Sequence, residues 1–158
     1  MRLEFFGRAA ACASSTSSVR GPRSRAPSWA VARAAARPLV SRSREEGEAH
    51  VIRNAGGVIT DDEIGSLAIS QRLLGTEEII LIHHTDCGML TFTDDDLTRS
   101  IQEDTGIKPG WAAEAFPDLD DDVRQSVARI RANPFVPRKD SVRGFVFDVA
   151  TGKLNEVV

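Results

Sequence analysis

Between Glu78 and Leu90 the chain reads EIILIHHTDCGML, and these thirteen residues hold two of its three histidines and one of its two cysteines. An apolar run stops abruptly at His83 and His84, and Cys87 follows three residues after His84. If a strand ends at His84 and Gly88 helps to make the turn beyond it, an imidazole nitrogen and a thiolate can converge on one point. That pair of donors suits Zn²⁺. His83 alternates to the opposite face of the same strand and cannot easily join them. Asp86 is either a turn residue or a carboxylate aimed at a metal. On spacing alone, other readings stay open. His-x-x-Cys also describes a buried cysteine beside a capping histidine, or a nucleophilic or redox thiol, although no Cys-x-x-Cys partner accompanies Cys87.

The elements that must position these groups are legible on either side. His50–Arg53 reads as a short strand running into the Gly-rich turn RNAGG. Thr60 followed by Glu63 makes a capping box, with Asp61 and Asp62 favouring the positive end of the helix that starts there. The helical pattern places Ile64, Leu67 and Ala68 on one face, with Ile69, Leu73 and Leu74 widening it, and Gly75 as the stop. EEIILIHH is then a continuous apolar run, as expected of a parallel strand covered on both faces. Strand, helix and strand form a βαβ unit, and a ligand site is expected at the carboxyl end of its second strand.

Further helices are expected around Leu97 and Ile101, and along Leu119, Val123, Val127 and Ile130. A strand, a turn at Thr151-Gly152 and a second extended piece close the chain. Trp111 and Phe116 read as core or interface residues. The Asp118–Asp122 run reads as a solvated helix start, since its spacing is not that of a calcium loop. The class is α/β, a parallel-core β-sheet flanked by helices.

The formal net charge of −3 hides a division. Residues 1–44 carry nine arginines against one acid, Glu4, whereas residues 45–158 carry 11 Lys/Arg against 22 Asp/Glu. The first segment is Ala, Ser, Arg and Pro without sustained periodicity. It reads as a disordered basic tail, an organellar transit peptide, or a GC-rich gene read out of frame, the last being preferred. Two cysteines are too few for a disulfide framework, which points to a reducing, cytoplasmic setting, or to an organelle if residues 1–44 are a targeting segment. Neither the charge nor the apolar runs give reason to expect nucleic acid or a membrane span.

From about Gly47 onward the chain resembles the β-class carbonic anhydrases, in particular their short bacterial branch. The residues that carry the resemblance are HVIRNAGG (His50–Gly57), SLAISQRLLGTEEIILIHHTDCGM (Ser66–Met89) and GFVFDVATGKL (Gly144–Leu154). It implies zinc held by two cysteines and a histidine, with His84 and Cys87 as the second half of that set. It implies CO₂ and bicarbonate as substrates, a homodimer, and an active-site approach lined by Arg53, Asn54, Gly56, Gly57, Asp86 and Gly88. Relatives of the same fold that hydrolyse CS₂ or COS are an alternative, as is a non-catalytic scaffold.

The family's first motif, Cys-x-Asp-x-Arg, belongs on a strand upstream of RNAGG. The stretch Arg20–Arg44, where it should fall, contains neither cysteine nor aspartate. Cys12 is followed by none of the motif's other residues. The resemblance therefore matches no catalytic Asp–Arg pair. It implies a domain, 45–158, that lacks its first strand and is impaired in activity.

Overall fold

The computed structural model describes residues 29–33 and 49–158. The alternative readings of the rest of the first segment, and Cys12, lie outside the described residues. Five strands form one sheet: β1 (Trp29–Arg33), β2 (Ala49–Arg53), β3 (Glu78–His84), β4 (Val142–Phe147) and β5 (Leu154–Glu156). Their order is β2-β1-β3-β4-β5, with every pairing parallel except that of β4 with β5. The helices are α1 (Asp61–Leu73), α2 (Asp94–Thr105) and α3 (Leu119–Ala132), and a 3₁₀ turn covers Gly88–Leu90.

The capping box at Thr60 is present. Glu63 accepts from the Thr60 backbone N–H at 3.0 Å and from the Thr60 hydroxyl, so the first turn of α1 satisfies donors that would otherwise be orphaned. The stripe on α1 is narrower than expected. Ile64, Leu67 and Gln71 point inward, whereas Ile69 and Leu73 are 56% and 78% exposed. At roughly 100° per residue, Ile69 and Leu73 lie about 140° and 180° around the helix from Ile64. Leu74 and Trp111 are exposed too, and α2 buries no residue fully. The stripe of α3 is as read: Val123, Val127 and Ile130 are buried.

The two faces of the sheet sort by parity. Ile79 and Leu81 of β3, with Val142 and Val146 of β4, pack under α1 and α3 in the larger core with Ile64, Leu67, Val123, Val127 and Ile130. Each such side chain, removed from water, contributes roughly 1.5–3 kcal/mol. Helix α3 sits so close to β4 that a Cβ on Gly144 would lie 2.5 Å from Val123 Cγ1, so this position needs glycine. The opposite parity, Ile80, Ile82, Phe145 and Phe147 with Ala49 and Leu154, forms a second, smaller cluster.

One expectation is corrected here. The sheet was expected to be incomplete at its N-terminus, yet Trp29–Arg33 occupies the slot between β2 and β3. Its register runs Val31 to Val51 on one side and Val31 to Ile80 on the other. An interior slot offers two rows of unpaired backbone donors and acceptors, and any extended, proline-free segment can pair with them whatever its side chains. Trp29–Arg33 lies between Pro27 and Pro38 and meets that requirement.

Candidate metal centre

The ladder between β3 and β4 runs to the last residue, His84 opposite Phe147, and continues as the Thr85 N–H donates to Phe147 O at 2.9 Å. The chain then turns through Asp86, whose φ of 55° is left-handed. Aspartate tolerates this conformation better than most residues. Cys87 caps the 3₁₀ turn, with the Leu90 N–H donating to its carbonyl at 3.1 Å. A strand end, one left-handed residue and a tight turn thus bring the His84 and Cys87 side chains together.

The imidazole is oriented by its neighbour. His84 Nδ1 lies 2.7 Å from Thr85 O, so Nδ1 carries the proton and Nε2 is left free to act as a ligand. The hydrogen bond with Cys87 raises the His84 pKa above its ordinary value, against the opposing effect of burial. Burial pushes the Cys87 thiol up, but the hydrogen bonds from His84 and the Met89 backbone outweigh it, so the net shift is downward. Each partner favours the charged form of the other. Cys87 is buried with Val58, Met89 and Phe116, while His84 is half-buried.

His83 turns to the other face, as its parity requires, and is 1% exposed. Its Nε2 lies 3.3 Å from Asp122 Oδ2 on α3, and its ring packs 5.6 Å from that of Phe116. Burial, and then the neighbouring His84, lower the His83 pKa to about 4. Burial, and then Glu114, raise that of Asp122 to about 6. Asp122 departs from the reading of the Asp118–Asp122 run as a solvated helix start, which holds for the exposed Asp118, Asp120 and Asp121. Its place four residues after Asp118, beside the inward stripe, is the one signal that could have marked it.

The residues expected to line the approach separate into groups. Asp86 and Gly88 flank the His84–Cys87 pair and are exposed. Asn54 Nδ2 donates to Val58 O at 2.6 Å and so braces its own turn. Gly56 and Gly57 are buried at φ of 72° and 78°, conformations that favour glycine, and back onto Met89, Phe116 and the His83 ring. Arg53 is exposed at the carboxyl end of β2.

A catalytic zinc site requires three protein donors and an open position. Among the described residues no group of three or more His, Cys, Asp or Glu side chains gathers in one place. Among the described residues the two candidate donors, His84 and Cys87, do not by themselves fit a catalytic zinc ion.

Comparison with known proteins places this geometry. The family model described as carbonic anhydrase matches residues 33–118. The chain is 74% identical over 113 residues to beta-carbonic anhydrase 1 of Mycobacterium tuberculosis, covering 72% of this chain and 69% of that protein. It is 32% identical over 129 residues to a carbon disulfide hydrolase of Acidithiobacillus thiooxidans, covering 70% of this chain and 64% of that one. The crystal structure of carbonic anhydrase from Streptococcus mutans superposes with a TM-score of 0.77 at 33% identity, over 90% of this chain and 88% of the other. With the strand order, the turn at the carboxyl end of β3 and these likenesses together, the chain belongs to the β-class carbonic anhydrases and has the function of that family, the reversible hydration of CO₂ to bicarbonate.

Proposed function

We propose that His84 and Cys87 are the metal ligands of this carbonic anhydrase, and that the chain as its sequence stands works far below the rate of an intact zinc enzyme. The observation that carries this reading is the position of His84 and Cys87 at the carboxyl end of a parallel strand, where a left-handed residue and a tight turn bring them close enough for each to shift the other's pKa, with no third donor beside them among the described residues. Zinc is the family's metal. CO₂ and bicarbonate are the substrates, entering at the exposed rim that Arg53, Asp86 and Gly88 occupy. The test is stopped-flow CO₂ hydration by the full chain. The expected rate lies more than about 100-fold below that of an intact β-class enzyme, beyond the usual cost of losing a hydrogen-bond partner of a ligand. A rate equal to that enzyme's would refute the reading.

Carbon disulfide hydrolase is the second reading, favoured by the A. thiooxidans relative. Parallel assays with CS₂ and COS decide between the substrates. A folded scaffold without turnover is the third, and metal analysis beside size-exclusion chromatography tests it. The family likeness supports a homodimer, and exposed Ile69 and Leu73 on α1 offer apolar surface of the kind oligomers cover. A cytoplasmic setting fits the cysteine content, and an organelle follows if residues 1–44 are a targeting segment. No described helix is long and apolar enough to cross a membrane.

A further inference from the structure

We propose that Asp94 is a positioning residue of the candidate site: its carboxylate ties the segment 107–118 to the start of α2, and so holds Phe116 over Cys87 and closes the buried side of that thiol to water. Access of water to this sulfur is a property of the segment whether or not a metal binds, so the proposal stands apart from the ligand reading of Cys87.

Residues 107–118 join α2 to α3 without regular secondary structure. A connection of that length with no element of its own is uncommon in a compact domain, and something must hold it. Among the described residues, the hydrogen bonds that tie 108–117 to the rest of the protein both end on Asp94. The Ala115 N–H donates to its Oδ1 at 2.8 Å and the Glu114 N–H to its Oδ2 at 3.2 Å. A carboxylate can offer one oxygen to each of two neighbouring amides, whereas an asparagine side chain has a single acceptor oxygen. The same bonds fix Glu114, whose φ of 60° lies in the left-handed region that residues other than glycine seldom adopt.

What this clamp positions is Phe116, the next residue after Ala115. Within 107–117 only Phe116 is buried, and it shares a cluster with Val58, Met89 and Cys87. Its ring lies 5.6 Å from that of His83, and 3.1 Å from where a Cβ on Gly56 would stand. On its other side the segment is not fixed by packing. A cavity of about 580 Å³, lined by residues 90–94 and 115–117 with Asp96, opens where those stretches would otherwise meet. The Asp94 carboxylate reaches from one stretch to the other, and hydrogen bonds to an ionised acceptor are of the stronger kind. Without them, nothing polar among the described residues keeps Phe116 seated.

Alkylation of Cys87 by iodoacetamide tests the proposal. The full chain carries Cys12→Ser and a chelator is present, so that a single metal-free thiol reacts. A thiol shielded by local closure reacts in proportion to the open population. Asp94→Ala is expected to raise the rate at least about tenfold, and Asp94→Asn, which keeps one acceptor, by an intermediate factor. Thr60→Ala, which weakens the cap of α1, is expected to leave the rate unchanged, because global unfolding is not the route to this thiol. In a Phe116→Ala chain the thiol is already open, and adding Asp94→Ala is expected to change the rate by less than about twofold. An unchanged rate in folded Asp94→Ala overturns the proposal. So does an equal gain by Thr60→Ala, or a gain from Asp94→Ala that persists in full without Phe116. Amide hydrogen exchange of the natural chain gives a check that needs no variant to fold. The Glu114 and Ala115 amides are expected to exchange more slowly than the rest of 107–117, and equally fast exchange there refutes the clamp.

Discussion

Two histidines adjacent in sequence do opposite work because a strand sends them to opposite faces. His84 meets Cys87 in a half-buried site, where each raises the charged population of the other. His83 is sealed against Asp122, and the shifts of that pair act in opposite directions on stability. The folded pKa of His83 is depressed from 6.5 to about 4, so the unfolded chain binds more protons between those values and stability is lost as pH falls. The folded pKa of Asp122 is raised from 3.8 to about 6, so its contribution is present at low pH and lost as pH rises through about 6. The two slopes largely cancel between about pH 4 and 6. Asp122→Asn removes one of them. Urea unfolding of that variant is expected to lose on the order of 2–3 kcal/mol on acidification from pH 6.5 to 4.5, more steeply than the natural chain. Equal slopes in the two proteins would show that the burial of His83 is not what governs its titration.

Elements place these residues through a few contacts with little tolerance. Helix α3 lies against β4 at Gly144, where a Cβ would also meet Val127 and Val158 at 3.1 Å. Gly144→Ala is therefore expected to destabilise by about 1–3 kcal/mol, since stiff valine side chains on a packed helix cannot move aside freely. A shift of the urea midpoint without a change of slope is the signature to look for. At the other helix, Thr60→Ala removes one half of the capping box and is expected to cost about 1 kcal/mol. Because α1 also packs its inward face on the core, the loss should appear in global unfolding and not as local fraying; a variant as stable as the natural chain would show the cap to be redundant.

At the scale of the whole molecule, stability and metal binding come apart. The larger core, formed by one face of the sheet with α1 and α3, draws on apolar residues distributed along the described chain, and neither His84 nor Cys87 belongs to it. A ligand that binds the native state raises the unfolding midpoint, and its removal lowers it. If the chain holds no zinc, excess chelator is expected to leave the thermal midpoint unchanged within the error of the scan. A fall of several degrees on chelation would mean that a metal had been bound and stabilising all along.

Much of the architecture was already written in local pattern. The capping box, the apolar run ending in two histidines, the stripe of α3 and the closing hairpin depend on periodicities of 3.6 and 2 that neighbours in sequence reveal. The convergence of His84 with Cys87 was legible for the same reason, since a strand end followed by a short turn is a local event. What needed the tertiary structure was everything decided by residues far apart in the chain. Asp122 meets His83 across 39 positions. Ile69 and Leu73 face outward because α1 turns Ile64 and Leu67 to the sheet. The strand slot between β2 and β3 is filled by Trp29–Arg33, a segment whose composition gave no sign of it. Backbone hydrogen bonding is blind to side chains, so a sheet can be completed by residues that leave its chemistry incomplete.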